Sequence, residues 1–112
     1  MIHEITLTGL PKVSLNQFYQ GGHWSKRKKL KDKYYWLIKS QVDKKFDKPC
    51  TVKYDFFFKK DVLDVSNCSG MLKMIEDVLF PDDSYKIVKG ISITSKKSKE
   101  DKVIITIKPE EE

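Results

Sequence analysis

A short acidic segment interrupts an otherwise basic chain. Residues 61–83 contain a single lysine, Lys73, and six carboxylates: Asp61, Asp64, Glu76, Asp77, Asp82 and Asp83. The segment has a net charge of −5, whereas residues 1–60 carry +9 and residues 84–112 carry +2. A cationic surface attracts a polyanion such as nucleic acid, and a carboxylate cluster repels it unless a divalent cation lies between them. Carboxylate and phosphate oxygens share Mg²⁺ in metal-dependent phosphodiester cleavage, so the charge pattern predicts a nuclease.

The spacing within the segment also favours a site. Lys73 and Asp77 are four residues apart in a predicted helix and share a face that differs from its apolar face. An ordinary surface ion pair has the same spacing. However, potential metal ligands flank the helix on both sides, with Asp64, Ser66 and Asn67 before it and Asp82 and Asp83 after it. Ser-Asn is also a common helix cap and Asp-Asp a common turn, so only the concentration of these signals predicts a metal site.

The first predicted helix, which precedes the acidic segment, is strongly basic. It begins near Ser25 and carries six cations in its first part: Lys26, Arg27, Lys28, Lys29, Lys31 and Lys33. We interpret this face as a phosphate-contact surface, with a merely solvated helix face as the alternative. Phosphate contacts predict an affinity that falls steeply with salt and depends little on sequence. Tyr19, His23 and Trp24 lie just upstream, where they would either stack on opened bases or cover the core.

Hydropathy patterns predict the elements that position these residues. Alternation predicts a strand over 2–9, helical spacing predicts a helix from Ser25 towards Pro49, and a β-rich run predicts a strand over 51–58. Ser66 or Asn67 is expected to cap the second helix, and Pro81 to end it. The apolar face of this helix comprises Met71, Ile75, Val78 and Leu79. Strands over 85–95 and 102–108 are expected to form a hairpin, which gives the order β-α-β-α-β-β and a mixed α/β (α+β) fold with a sheet of about four strands and two helices.

Length and composition limit the class of protein. The 112 residues predict a single domain, 1–112, with a flexible tail at 110–112. Cys50 and Cys68 lack zinc-ligand spacing, which argues against a structural zinc site. With two cysteines only, a reduced, cytoplasmic setting is the default interpretation. The sequence shows no apolar run of membrane-spanning length and no signal peptide, so no membrane partner is expected.

Three motifs in the acidic segment resemble the RusA-type Holliday junction resolvases of bacteria and their phages. The motifs are D-V-S-N at 64–67, K-M-I-E-D-V-L at 73–79 and P-D-D-S at 81–84. The N-terminal L-P-K-V-S-L-N-Q-F-Y at 10–19 is similar to the strand and loop that open this family, and the basic helix also matches it. The resemblance spans nearly the whole chain as short motifs. It implies a Mg²⁺-dependent endodeoxyribonuclease, with Mn²⁺ as a substitute, that acts on branched DNA in a bacterial or phage-infected cell.

Position by position, the resemblance implies metal ligands at Asp64 and Asp83, a charged active-site residue at Lys73 and a supporting carboxylate at Asp77. It implies that Asn67 contacts the metal ligands rather than the metal, and that Asn16 and Tyr19 contact DNA. The chain departs from the family at Ser66, where the family has a second aspartate. Ser66 itself, a water or Asp82 would fill that ligand position. Three inserted residues before Lys73 also leave Asp61 open as an alternative ligand.

A distance argument predicts a homodimer. Thirteen helical residues from Asn67 to Leu79 span about 20 Å, and the four residues on to Asp83 retrace at most about 14 Å. Asp64 and Asp83 therefore share a metal only through a short helix, a tight reversal of the chain or a second subunit. A dimer also matches the paired cuts that a two-fold symmetric four-way junction requires.

Two other functions stay open at this point. The loss of a carboxylate at Ser66 is compatible with a DNA- or RNA-binding protein that retains the basic surface with weakened catalysis. A small interaction protein whose acidic helix docks a basic partner is the other alternative. Reversing the charges at Lys28 and Lys29 would leave such an interaction protein unaffected, whereas a nuclease would lose DNA affinity.

Overall fold

The computed structural model describes residues 2–14, 24–80 and 84–110, with the backbone alone for residues 24, 25, 84 and 85. These residues form a mixed α+β fold in the predicted order β-α-β-α-β-β. The strands are β1 (His3–Thr8), β2 (Cys50–Phe58), β3 (Val88–Lys97) and β4 (Lys102–Pro109). The helices are α1 (Trp24–Gln41), α2 (Ser69–Leu79) and a single turn, α3 (Ser84–Ile87); a 3₁₀ turn (Val65–Cys68) leads into α2.

The four described strands form one mixed sheet in the order β1-β4-β2-β3. β2 pairs in parallel with β3, and β4 pairs antiparallel with both β1 and β2. The predicted hairpin between the last two strands is therefore wrong, since β3 and β4 lie on opposite sides of β2. The polar connection crosses the end of β2 instead: the Ser98 N–H donates to the Phe58 carbonyl at 2.9 Å, and the Lys59 N–H donates to Asp101 Oδ1 at 2.7 Å.

One face of this sheet supplies the core. Alternate side chains of the two central strands are buried on it, among them Tyr54, Phe56 and Ile105, each with no exposed surface. The helices cover the same face with Tyr34 from α1 and Ile75 from α2, both fully buried. The remaining predicted apolar positions of α2, namely Met71, Val78 and Leu79, are buried as well. The hydropathy pattern therefore identified the inward face of α2 correctly.

α1 ends at Gln41, eight residues before Pro49, where the helix was expected to end. The side-chain amide of Gln41 pairs with the backbone of Thr8: the Thr8 N–H donates to Oε1 at 2.8 Å, and Nε2 donates to the Thr8 carbonyl at 2.8 Å. The chain then leaves the helix so that Phe46 enters the core, where its N–H donates to the Leu79 carbonyl at 3.0 Å. Tertiary contacts thus stop the helix before the proline does.

The start of α2 also differs from the expectation. Neither Ser66 nor Asn67 caps it, because both lie within the 3₁₀ turn. Asp64 is the N-cap of that turn and Cys68 the N-cap of α2, and neither makes a side-chain capping hydrogen bond. α2 ends at Leu79 as predicted, although Pro81 itself lies outside the described residues. The third strand begins at Val88 rather than at 85, since α3 occupies the residues before it.

Within the described part of the chain, no helix combines the length and the apolar character needed to cross a bilayer.

Candidate functional site

Lys73 lies between two carboxylates on α2. Its Nζ is 4.0 Å from Asp77 Oδ1, one turn further along the helix, and 4.0 Å from Glu76 Oε1. The Lys73 and Asp77 side chains are 55% and 51% exposed, so the predicted pair does share a face that is accessible to a large ligand. Exposed pairs at this distance contribute little to stability. The arrangement therefore leaves the Lys73 ammonium available to interact with an incoming anion.

Glu76 was not among the residues predicted to form the site. Its side chain is only 11% exposed, and burial raises its pKa, an effect that the charge of Lys73 opposes and the charge of Asp77 reinforces. The hydroxyl of Tyr54 is buried nearby, and it has no hydrogen-bond partner among the described residues. Burial raises the pKa of Tyr54, and the charge of Glu76 raises it further. Two buried polar groups, the Glu76 carboxyl and the Tyr54 hydroxyl, thus lie close enough for the charge of Glu76 to act on Tyr54, with no hydrogen bond between them.

Helical spacing contained a signal for this buried position. Glu76 is four residues after Leu72 and three before Leu79, and both of these side chains are buried. A carboxylate within the apolar arc of a helix is either costly or functional. The identity of its neighbour Tyr54 depends on how the helix packs on β2, which the sequence of α2 does not specify.

The buried Glu76 predicts a pH-dependent stability. Its pKa is raised above the ordinary 4.5, so the native state binds more protons than the unfolded chain in the interval above that value. The free energy of unfolding therefore falls as the pH rises through this interval. We expect Glu76→Gln to match the wild type in thermal stability near pH 4 and to be more stable at pH 7. Glu4→Gln, which makes the same change of charge at an exposed position, is the control. If Glu76→Gln instead loses stability relative to the wild type as the pH rises, this account is contradicted.

Asp64, Ser66 and Asn67 lie together at the turn before α2. The Asp64 carbonyl accepts hydrogen bonds from the N–H groups of Asn67 at 2.8 Å and Cys68 at 3.2 Å. The side chains of Asp64 and Ser66 are exposed, and that of Asn67 is half-buried. Burial raises the pKa of the Cys68 thiol, a hydrogen bond with Ser95 lowers it, and the charge of Asp64 raises it again. The Asp64 carboxylate is therefore close to this thiol at the start of α2.

The predicted ligand set is only partly placed. Asp82 and Asp83, together with the predicted DNA contacts Asn16 and Tyr19, lie outside the described residues. Across 2–14, 24–80 and 84–110, no three His, Cys, Asp or Glu side chains converge as a metal-ligand group. Asp64 and Asp77 lie towards opposite ends of α2, whose 11 residues span about 16 Å. A site with three such ligands would therefore need at least one ligand from outside the described residues or from a second subunit.

Asp61, the alternative ligand, belongs to a turn. Its backbone has a positive φ of 49°, and its side chain is 93% exposed. Lys12 Nζ lies 3.9 Å from Asp61 Oδ2 and donates to the carbonyl of Lys60 at 2.9 Å. Asp61 therefore connects the loop after β1 to the turn after β2.

The basic helix presents its predicted cations to solvent. Five of the six side chains are exposed and Arg27 is half-buried; the exposed residues are Lys26, Lys28, Lys29, Lys31 and Lys33. Lys28 Nζ pairs with Asp32 Oδ2 at 3.2 Å. As a whole, α1 carries seven cations against one anion, so it remains strongly positive after this pairing.

A groove of about 190 Å³ lies between the two long helices. Its lining residues are Lys31, Asp32, Tyr35, Met74, Asp77 and Val78. The structure thereby brings together Lys31, a predicted phosphate contact, and Asp77, a predicted active-site carboxylate, although they are far apart in sequence. The edge of the basic surface meets the exposed face of α2 at this groove.

No protein family model matches the sequence, and no curated protein sequence matches it either.

Proposed function

We propose that this chain is a divalent-metal-dependent endodeoxyribonuclease that cleaves branched DNA, such as a four-way junction, by hydrolysis of phosphodiester bonds. The groove between α1 and α2 carries the proposal, because there a basic helix borders a lysine–carboxylate pair. The motifs shared with the RusA-type resolvases support the same reaction and substrate.

The available donors suit a hard cation. Asp64 and Ser66 expose oxygen atoms before α2, whereas Cys50 and Cys68 are buried and have raised thiol pKa values, which disfavours thiolate ligands. Oxygen-only donors fit Mg²⁺ or Mn²⁺ better than Zn²⁺. In this proposal Asp64 and Asp83 hold the metal, with Ser66 or Asp82 in the position of the missing carboxylate. A bound Mg²⁺ would polarise the phosphodiester and lower the pKa of a coordinated water.

The chain's own residues supply the remaining functions. The cations of α1 hold the sugar-phosphate backbone, and Lys73 stabilises the negative charge that develops on the phosphoryl oxygens during attack. Asp77, whose Oδ1 is 4.0 Å from Lys73 Nζ, positions the ammonium. Both cysteines are buried, and the scheme uses water as the attacking group.

A homodimer completes the proposal. Two active sites related by a two-fold axis would make the paired cuts that resolve a four-way junction. A second subunit would also allow Asp64 and Asp83 to come from different chains. Sedimentation that shows only monomers, both alone and on a junction, would contradict this assembly.

Cleavage of a synthetic four-way junction, labelled on each strand in turn, tests the function. We expect symmetric nicks with Mg²⁺ or Mn²⁺, none in EDTA and none in a linear duplex of the same sequence. Asp83→Asn should bind the junction and leave it uncut, whereas the exposed Asp47→Asn should cut normally. Metal-independent cutting, or cutting by Asp83→Asn at the wild-type rate, would overturn the proposal.

Ser66 favours one alternative function. The RusA-type motif has an aspartate where this chain has Ser66. A protein that binds DNA or RNA without cutting it does not need that carboxylate. Tight, salt-sensitive junction binding with no product in Mg²⁺ or Mn²⁺ would support this alternative.

A further inference from the structure

The outer face of α1 carries an exposed pair of aromatic rings. Trp36 is 70% exposed, more than any other large hydrophobic side chain in the described part of the chain, and Tyr35 beside it is 43% exposed. Their ring centroids are 5.3 Å apart, with the planes at 87°. A large aromatic left in water on a rigid helix is unfavourable unless a partner covers it. The pair therefore marks an interaction surface, which we call the Trp36 patch (Tyr35 and Trp36).

The cations around the patch indicate the chemistry of that partner. Lys33 and Lys39, three residues to either side of Trp36, are its neighbours on the helix surface. Lys39 Nζ lies 5.9 Å from the centroid of the Tyr35 ring. The nearest carboxylate on this helix, Asp32, is already paired with Lys28 at 3.2 Å. A partner must therefore present flat apolar surface and negative charge together.

Charge argues against a second copy of the same surface. An isologous two-fold interface through the Trp36 patch would place the seven cations and one anion of α1 opposite an identical set. Like charges facing each other across an interface are costly. A nucleotide meets both requirements, because a base offers a flat π face and its phosphate offers an anion.

The patch also adjoins the proposed site. Tyr35 lines the groove between α1 and α2 together with Asp77, which pairs with Lys73. A base held at the patch would place its neighbouring phosphates near this groove. Bases within a continuous duplex are stacked on each other and cannot reach a protein ring without leaving the helix.

We infer that Trp36 is a stacking platform for an unpaired base, with Tyr35 supporting it, and that it gives the protein a preference for DNA containing opened bases over intact duplex. This inference rests on the proposed function, since it assigns the structural feature by which that site would select branched DNA. It concerns binding, so it can be tested without metal.

The test compares Trp36→Ala and Trp36→Phe with the wild type in EDTA, using oligo-dT of about 15 nucleotides, a four-way junction and a linear duplex. Trp36→Ala should weaken oligo-dT binding roughly 5- to 150-fold and leave duplex binding within about twofold of the wild type. Trp36→Phe, which keeps an aromatic ring, should retain most of the wild-type affinity for oligo-dT. In a Trp24→Phe background, Trp36 is the remaining tryptophan, and oligo-dT should quench its fluorescence. Ile91→Ala, at another exposed apolar side chain, is the control and should change nothing.

The outcomes separate this inference from the proposed function. If the wild type binds and cuts junctions but Trp36→Ala keeps its oligo-dT affinity, the stacking role is wrong and the nuclease stands. Equal losses of affinity for oligo-dT and for duplex in Trp36→Ala would also contradict stacking. So would a Trp36→Ala variant that becomes monomeric, from a dimeric wild type, while its DNA affinity is unchanged. A wild type that binds none of the three DNAs would overturn both the inference and the function.

Discussion

We expect Lys73→Met to slow metal-dependent junction cleavage by about 10²- to 10³-fold, the usual cost of removing one donor that stabilises transition-state charge. Junction affinity should change only a few-fold, because the proposal assigns most of the phosphate contacts to α1. The Lys73 side chain is 55% exposed, so the substitution leaves the core intact. Single-turnover cleavage at saturating protein measures the chemical step separately from binding.

Lys53→Met is a closely matched control for this variant. Lys53 is 56% exposed, and its Nζ lies 3.9 Å from the Asp55 carboxylate, so it resembles Lys73 in exposure and pairing. It projects from the other face of the sheet, away from α2. Cleavage by Lys53→Met should equal that of the wild type. If both variants lose the same cleavage activity, or if Lys73→Met loses none, Lys73 has no specific role in cleavage.

Reversing two charges on α1 should have the second large effect. Lys29 and Lys33 are exposed and one turn apart, whereas Lys28 is already paired with Asp32. If each contacts a phosphate, the Lys29→Glu, Lys33→Glu double variant should bind DNA more weakly. Its plot of log affinity against log salt should lose about two units of slope. Fluorescence anisotropy on a duplex and a junction, over a series of salt concentrations in EDTA, measures both quantities.

The control for α1 makes the same change of net charge at other positions. Lys45→Glu, Lys48→Glu lowers the net charge from +6 to +2, as the α1 variant does, at two exposed residues between α1 and β2. If α1 is the binding surface, the control should retain most of the wild-type affinity and salt slope. Similar losses in both double variants would mean that overall charge, rather than α1, determines binding.

The elements followed from local periodicity, whereas the strand order did not. A β-rich, aromatic run identified β2, alternating apolar residues identified β4, and the 3.6-residue spacing identified the buried face of α2, because these patterns are local in sequence. The position of β4 between β1 and β2 depends on which strands bury the most apolar surface in the middle of the sheet. β4 buries the alternate residues Val103, Ile105 and Ile107. By contrast, β3 carries Gly90 and ends in two lysines, as suits an edge strand.

The candidate site was likewise predictable from the sequence only in part. The shared face of Lys73 and Asp77 follows from a spacing of four on a helix, and the structure confirms it. The proximity of Glu76 to Tyr54 and of Lys31 to Asp77 depends on how α2 packs on the sheet and on α1. No local pattern specifies those contacts, so sequence reasoning missed them. The predicted roles of Asp82, Asp83, Asn16 and Tyr19 stay predictions.

A crystal structure of the protein soaked in Mn²⁺, with the metal located by its anomalous signal, tests the central claim most directly. We predict a manganese ion bound by carboxylate oxygens of Asp64 and Asp83, contributed by one subunit or by two, within reach of Lys73. Manganese absent at saturating concentration, with the Asp64 and Asp83 carboxylates pointing apart into solvent in every subunit arrangement, would contradict the claim.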